Sequence, residues 1–338
     1  MSTTHLITGS TGLIGAALLL RLAEHTDDEF VCLVRAPGSR LHDTLRRAAS
    51  AYAVQPGVLA GALRRTRIVE GDLTTPFPLR TAARVEVWHS AAVLHFRRST
   101  WRTTFRTNVH GTRRMLELAR AVDAVGFNYL STAYVAGTAT GAIGEVPASP
   151  SAARTPYELS KIAAERMLLE VRDMPVRVLR PSVVVGHSET LAYPGTPSGA
   201  YKIQQLIAAY YRAVPPTVRP GVRALPDEPF DIVPVDHVVA EAHELSDLGA
   251  TGIHHLTNPT PPPTGALLTA LFTNCQAPPP TYTSGDPLLN MALAPYLPYL
   301  NNPQHFTRTR PGTPWTPDHE TLRAMFRPFV VRPAPIPA

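Results

Sequence analysis

The sequence predicts an α/β protein built on a parallel, doubly wound sheet, followed by a smaller, loop-rich C-terminal lobe. Strand-like and helix-like stretches alternate through the first half of the chain, which is the pattern of a parallel sheet covered on both faces. A glycine-rich turn joins the first strand to the first helix, and beyond residue 186 the alternation gives way to proline-rich sequence. The chain has 338 residues, 44% hydrophobic and 17% charged, enough for one large or two smaller packed domains.

Taken in order, residues 5–9 read as a short apolar strand, and residues 12–25 have helical spacing with the leucines on one side. Further strands are expected over 30–35, 67–73, 85–92, 127–135 and 176–186, with helices at about 41–53, 103–125 and 157–172. These strands read as apolar runs, as expected when both faces of a sheet are buried. Residues 259–338 hold 18 of the 35 prolines, yet Leu267, Leu268, Leu271 and Phe272, then Leu288, Leu289 and Leu293, form short helical faces between them. The expected organisation is a cofactor domain over 1–186, a mainly substrate-binding lobe over 187–330 that returns to the core near 230–258, and a frayed tail over 331–338.

The turn Thr8-Gly9-Ser10-Thr11-Gly12-Leu13-Ile14-Gly15 has the position and composition of a Rossmann-type phosphate loop. Its glycines let backbone approach a pyrophosphate, which the positive N-terminus of the following helix attracts. Gly9, Thr11, Gly12, Leu13, Ile14 and Gly15 are therefore assigned to the cofactor. An acidic residue about 20 positions on would accept the ribose 2′-hydroxyl of NAD. Arg35 stands there instead, and a guanidinium suits a 2′-phosphate, so NADPH is the expected cofactor, with Arg40 or Arg46 assisting. Asp72 and Leu73 end the third strand, where a carboxylate can accept from the adenine amino group. The small Ala91 and Ala92 end the fourth, where backbone passes close to the cofactor.

Tyr157 and Lys161 are four residues apart and share one helix face. A phenol with a pKa near 10 is a poor proton donor at neutral pH, and a neighbouring ammonium is expected to lower that value. The chain has only two lysines among 32 basic residues, Lys161 and Lys202, so a lysine at this spacing is informative. Ser131 and Thr132 end the fifth strand, where a hydroxyl can hold a substrate carbonyl.

Together with Asn108-Val109-His110-Gly111-Thr112, these segments resemble the extended short-chain dehydrogenases/reductases. Cys32-Leu33-Val34-Arg35, His89-Ser90-Ala91-Ala92, the run from Arg180 to Ser188 and that from Val233 to Val238 narrow the resemblance to the thioester reductase and fatty acyl reductase branch. It covers residues 5–258. The resemblance makes Thr132 rather than Ser131 the catalytic hydroxyl beside Tyr157 and Lys161, places Asn108 at the cofactor site, and runs Pro181, Ser182 and Val183 past the nicotinamide. It implies hydride transfer from NADPH to an acyl thioester, bound to a carrier protein or coenzyme A, giving an aldehyde or alcohol. No carrier or adenylation region is recognisable, so the acyl group is expected in trans, on an acidic carrier that meets Arg97, Arg98, Arg102 and Arg106. Two other readings use the same scaffold: a reductase of a free ketone, aldehyde or imine (or a nucleotide-sugar enzyme), and a non-catalytic NADPH-binding regulator. The second predicts loss of the tyrosine or lysine, and both are present.

The net charge of +6 and pI near 9.5 are not accompanied by zinc-finger, basic-helix or aromatic-basic RNA motifs, so no nucleic-acid partner is expected. The longest early apolar run, residues 16–20, is too short to span a bilayer, and the N-terminus lacks a signal-peptide pattern; a cytoplasmic protein without a membrane partner is expected. Two cysteines, Cys32 and Cys275, allow no disulfide framework beyond one bridge, and the 13 histidines show no metal-binding spacing, so no metal is expected.

Overall fold

The computed structural model describes residues 3–74, 84–282 and 285–330; the tail over 331–338 lies outside them. In chain order the strands are β1 (Thr3–Thr8), β2 (Glu29–Val34), β3 (Thr66–Glu70), β4 (Arg84–His89), β5 (Gly126–Leu130), β6 (Gly141–Ile143), β7 (Val176–Pro181), β8 (Val183–Val185), β9 (Ile232–Pro234), β10 (Gly252–Leu256) and β11 (Gln304–Phe306). The helices are α1 (Leu13–His25), α2 (Ser39–Ala51), α3 (Pro56–Arg65), α4 (Trp101–Phe105), α5 (Gly111–Ala121), α6 (Pro156–Leu169), α7 (Gly199–Ala213), α8 (Val235–Asp247), α9 (Thr264–Asn274), α10 (Pro287–Leu293), α11 (Leu297–Leu300) and α12 (His319–Phe326).

Seven strands form one parallel sheet in the order β10-β7-β5-β4-β1-β2-β3. This is the doubly wound arrangement the alternation predicts, and its strand order reverses between β1 and β4, where such sheets open a crevice. Side chains alternate across it. Leu6, Val31, Val87 and Phe127 turn toward α5 and α6, while Ile7, Phe30, Cys32 and Trp88 turn toward α1, α2 and α8. Cys32 is fully buried, and burial pushes its thiol up to about 12, so it behaves as a small core hydrophobe.

Several boundaries differ from the sequence reading for local reasons. β3 ends at Glu70 rather than residue 73; beyond it the Asp72 carboxylate accepts the Thr74 amide at 2.8 Å and turns the chain. The strand expected over 176–186 is two strands: Ser182, between them, donates its hydroxyl to Asp231 at 2.5 Å, and β8 leaves the main sheet to pair with β9. The helix expected over 103–125 holds a π-helical turn over Arg106–His110, between α4 and α5. α3 was not foreseen.

The proline-rich region is folded through residue 330. Its leucine faces bury Leu267, Leu268, Leu271, Phe272, Leu289 and Leu293 in a separate apolar core with α7 and α12. Asp286 and Asp318 cap α10 and α12 through the amides of Leu289 and Thr321, a favourable use of an acidic side chain at a helix start. Among the described residues, no helix is long and apolar enough to cross a membrane.

Candidate active site

The glycine turn sits at the switch between β1 and β4. Gly9 has φ +75°, and a Cβ there would stand 2.6 Å from the Ala91 amide nitrogen, so the first and fourth strands can meet only over a glycine. Gly15 packs its Cα against the Gly9 carbonyl, with no room for a side chain. The free N-terminus of α1 therefore lies at the surface of the crevice, poised for an anion.

A cavity of about 300 Å³ opens from this turn. Gly9, Gly12, Leu13, Ile14 and Gly15 line one side of it, and Thr132, Tyr157, Ser182 and Val183 another. Sequence reasoning had named these nine. It missed the apolar and aromatic Leu94, Phe96, Tyr134, Phe230, Tyr296 and Tyr299, which line the cavity with Ser90, Val184, Tyr193, Ser198 and Gly199. The repeated Pro-Tyr-Leu of residues 295–300 was the available signal, but nothing in the sequence showed where that lobe folds back. Thr11 lines a second cavity with Arg40, Thr44 and Arg47 at the start of α2. Arg46, the other assisting arginine expected, is not there: it is exposed and faces Asp43 at 3.4 Å.

The two candidate hydroxyls have different surroundings. Ser131 donates to Glu165 at 2.5 Å, and Glu165 is held by a two-point pair with Arg180, at 3.0 and 2.6 Å. Thr132 accepts from the Tyr134 amide at 3.2 Å and faces the cavity beside Tyr157.

Lys161 is 2% exposed and donates to the Leu130 carbonyl at 2.6 Å, with its ammonium 4.5 Å from the Tyr129 ring and 6.0 Å from the Tyr157 ring centroid. Burial lowers its pKa to about 7 against an opposing pull from Glu165. The Tyr157 phenol is held above its ordinary value by burial, then by Glu158 and Glu165. This corrects the expectation of a lowered phenol: burial and the two carboxylates raise it, and the Lys161 ammonium is turned to Leu130.

Asn108 is buried in the π-helical turn, a distortion common at functional sites. Its amide group bonds both backbone groups of Val93 (2.8 and 3.0 Å) and the Ser160 hydroxyl (3.0 Å). It thus ties the loop after β4, with Ala91 and Ala92, to the helix that carries Tyr157 and Lys161. Behind it, Thr8, His89 and Thr112 form a buried chain at 2.7 and 3.0 Å. Burial, aided by the Lys161 charge, lowers His89 to about 3, so it serves as a neutral link.

Arg35 is exposed just beyond β2. Asp72 accepts from the Thr74 amide at 2.8 Å; hydrogen bonds from Thr74, then the charges of Arg35 and Arg106, hold its carboxyl below the usual range. Leu73 is buried and packs under Gly111. Pro181 ends β7 and is buried, presenting Ser182 to the cavity.

A doubly wound sheet with a glycine turn, a strand-end hydroxyl and a helix bearing Tyr157 and Lys161 defines an NAD(P)-binding oxidoreductase of the extended short-chain dehydrogenase/reductase type. Residues 7–242 match the NAD-binding family described as "Male sterility protein", and the chain belongs to that family. It is 31% identical over 282 residues to an isonitrile lipopeptide synthase of Streptomyces coeruleorubidus, an alignment covering 75% of this chain and 18% of that protein. It is 30% identical over 203 residues to a linear gramicidin synthase of Brevibacillus parabrevis, covering 55% of this chain and 4% of that one. The chain thus spans a small part of these relatives. The terminal R domain of the myxalamid PKS-NRPS biosynthetic pathway has the same fold, with TM-score 0.73 and 23% identity over 96% of this chain and 89% of that one.

Proposed function

We propose that this chain is an NADPH-dependent reductase of an acyl thioester, presented on a carrier protein or coenzyme A and converted to an aldehyde or alcohol. The observation that carries this reading is the pairing of Thr132 and Tyr157 on one wall of an uncharged cavity that opens on the glycine turn. The cofactor fits the residues present: the turn excludes side chains at Gly9 and Gly15, and Arg35 and Asp72 lie together beyond β2 and β3. When bound, NADPH supplies the hydride that converts the thioester carbonyl to a hemithioacetal and is left as NADP⁺.

Thr132 and Tyr157 hold the carbonyl oxygen, and the phenol gives up its proton as negative charge gathers there. A phenol raised by burial suits this direction, since it keeps its proton until the oxygen becomes more basic. Lys161 would support the phenolate that remains, and it is the residue that would hold the nicotinamide ribose when the cofactor is bound. The hemithioacetal then releases thiol and leaves aldehyde. The lobe over 187–330, apart from the segments near 230–258 that return to the main core, is read as mainly substrate-binding.

The relatives that are peptide synthases support a carrier-bound substrate. Arg97, Arg98, Arg102 and Arg106 are exposed beside Leu94 and Trp101, which are 46% and 50% exposed, and Leu94 also lines the cavity. An acidic carrier docking there would deliver its acyl arm to the opening. A nucleotide-sugar substrate is less suited, because no cationic side chain among the described residues lines the cavity to meet a diphosphate.

The test is NADPH oxidation with a carrier-bound acyl thioester and with the matching free aldehyde, at low and high salt. Turnover of the carrier-bound thioester should fall as ionic strength rises, and fall further in Arg97→Glu/Arg98→Glu, while a small uncharged thioester changes little. Oxidation with the aldehyde alone would reject thioester reduction.

A further inference from the structure

The wall that sequence reasoning missed carries information about the acyl group itself. Tyr299, from the C-terminal lobe, stands over the catalytic helix and donates its hydroxyl to Glu158, the residue after Tyr157, at 2.8 Å. Glu158 is fully buried and also accepts from Arg154, through its backbone amide at 2.6 Å and its guanidinium at 3.1 Å. The same guanidinium lies 4.2 Å from the centroid of the Tyr299 ring and donates to the Pro298 carbonyl at 2.8 Å. Tyr299 is therefore clamped at its hydroxyl, along one ring face and through its neighbour's backbone. Its ring in turn packs edge-on against Tyr134, two residues after Thr132, with centroids 5.1 Å apart, and leans on Phe96 at 6.4 Å.

Three features of this wall bear on what it accepts. No charged side chain lines the cavity among the described residues. The serine hydroxyls of the lining already have partners: Ser90 the Thr8 carbonyl, Ser182 the Asp231 carboxyl and Ser198 the hydroxyl of Tyr193, itself in the lining. An ammonium entering the cavity would lose its hydration and meet no carboxylate in the lining, since Glu158 behind Tyr299 is paired with Arg154 and Asp231 behind Ser182 is held by Ser182 and Asn258. Tyrosine rings can hold a cation over their faces, but Arg154 already occupies one face of Tyr299 and its charge opposes a second cation nearby. Edge-on aromatic packing instead offers apolar surface to an alkyl or aryl group.

We propose that Tyr299, fixed by Glu158 and Arg154, is the specificity-determining residue of the acyl site, and that the site takes an acyl group uncharged and apolar beside the carbonyl, excluding an aminoacyl group with a free ammonium. This rests on the thioester-reductase reading for the position of the carbonyl, but its test does not require turnover. The probes are two non-reducible amides, octanoyl and 2-aminooctanoyl, of the pantetheine analogue that carries an amine in place of its thiol, titrated calorimetrically into the NADPH-loaded protein. The octanoyl amide should bind at least about tenfold more tightly, the order expected for stripping water from one unpaired ammonium. Tyr299→Ala should shrink that ratio to about threefold or less while leaving NADPH affinity within about twofold, and Tyr299→Phe, which keeps the ring, should retain most of it. Equal or tighter binding of the amino compound, no binding of either amide, or an unchanged ratio in Tyr299→Ala would overturn the proposal. Should Tyr299→Ala lose NADPH binding, the wild-type ratio and its retention in Tyr299→Phe decide. If the amides behave as expected but no thioester is reduced, the acyl-site assignment stands and the thioester reading falls.

Discussion

Ser131 donates its hydroxyl to Glu165 at 2.5 Å, and that bond separates two adjacent hydroxyls into different roles. Ser131 belongs to a buried polar cluster with Arg180, whereas Thr132 faces the cavity. Thr132→Val should lower kcat by roughly a hundredfold, the usual cost of removing one donor to a developing oxyanion. Ser131→Ala should cost about 2 kcal/mol of stability, from the lost hydrogen bond to a buried carboxylate, with much less effect on kcat. Steady-state kinetics and denaturant melts of the two variants check the order; the reverse order would move the catalytic hydroxyl by one residue.

Tyr157 and Lys161 should separate under mutation. Tyr157→Phe should lose turnover by about a hundredfold or more with NADPH affinity little changed, since it removes the proton donor alone. Lys161→Met should also lose turnover, yet match or exceed the wild type in Tm. The depressed Lys161 pKa means its stability contribution is full above about pH 10.5 and is lost as pH falls through about 7. The Tm advantage of Lys161→Met should therefore grow from high pH toward about pH 6. A variant that melts lower at every pH would show that the Leu130 bond outweighs the cost of the buried charge.

The cofactor prediction turns on Arg35. Wild type should bind NADPH more tightly than NADH, and Arg35→Ala should weaken NADPH by about tenfold or more while leaving NADH nearly unchanged, as expected for loss of a charge-assisted contact to phosphate. Equal affinities in the wild type, measured by fluorescence titration, would remove the basis for NADPH.

Asp231, next in sequence to the wall residue Phe230, is buried behind the cavity lining; burial pushes its carboxyl up to about 6, against hydrogen bonds from Ser182 and Asn258. A raised carboxyl contributes stability that is full below about pH 4 and lost as pH rises through about 6. Asp231→Asn keeps an acceptor for both donors without the charge. Its Tm relative to wild type should rise between about pH 4 and about pH 7, and a flat difference would contradict the buried-charge account.

The sheet and the glycine turn were legible because both follow from local pattern: apolar runs alternating with helical faces, and glycines where backbone must come close. Tyr157 and Lys161 were legible because helical spacing fixes their shared face. The state of Tyr157 was not, since it depends first on burial by segments far away in sequence, then on the charges of Glu158 and Glu165. Neither was the aromatic wall. Tyr299 reaches Glu158 across 141 positions, and no local rule connects the two. The division of 176–186 into β7 and β8 likewise depends on Asp231, which draws Ser182 out of line. Asn108 was placed at the cofactor site by resemblance, while the structure shows it pinning Val93 and Ser160.

Thioester reduction is most directly tested by counting free thiol against NADPH. With an acyl thioester as substrate, each thiol released should accompany one NADPH oxidised, or two if the aldehyde goes on to alcohol, and Tyr157→Phe should abolish both together. NADPH oxidation without thiol release, or thiol release without NADPH oxidation, would contradict it.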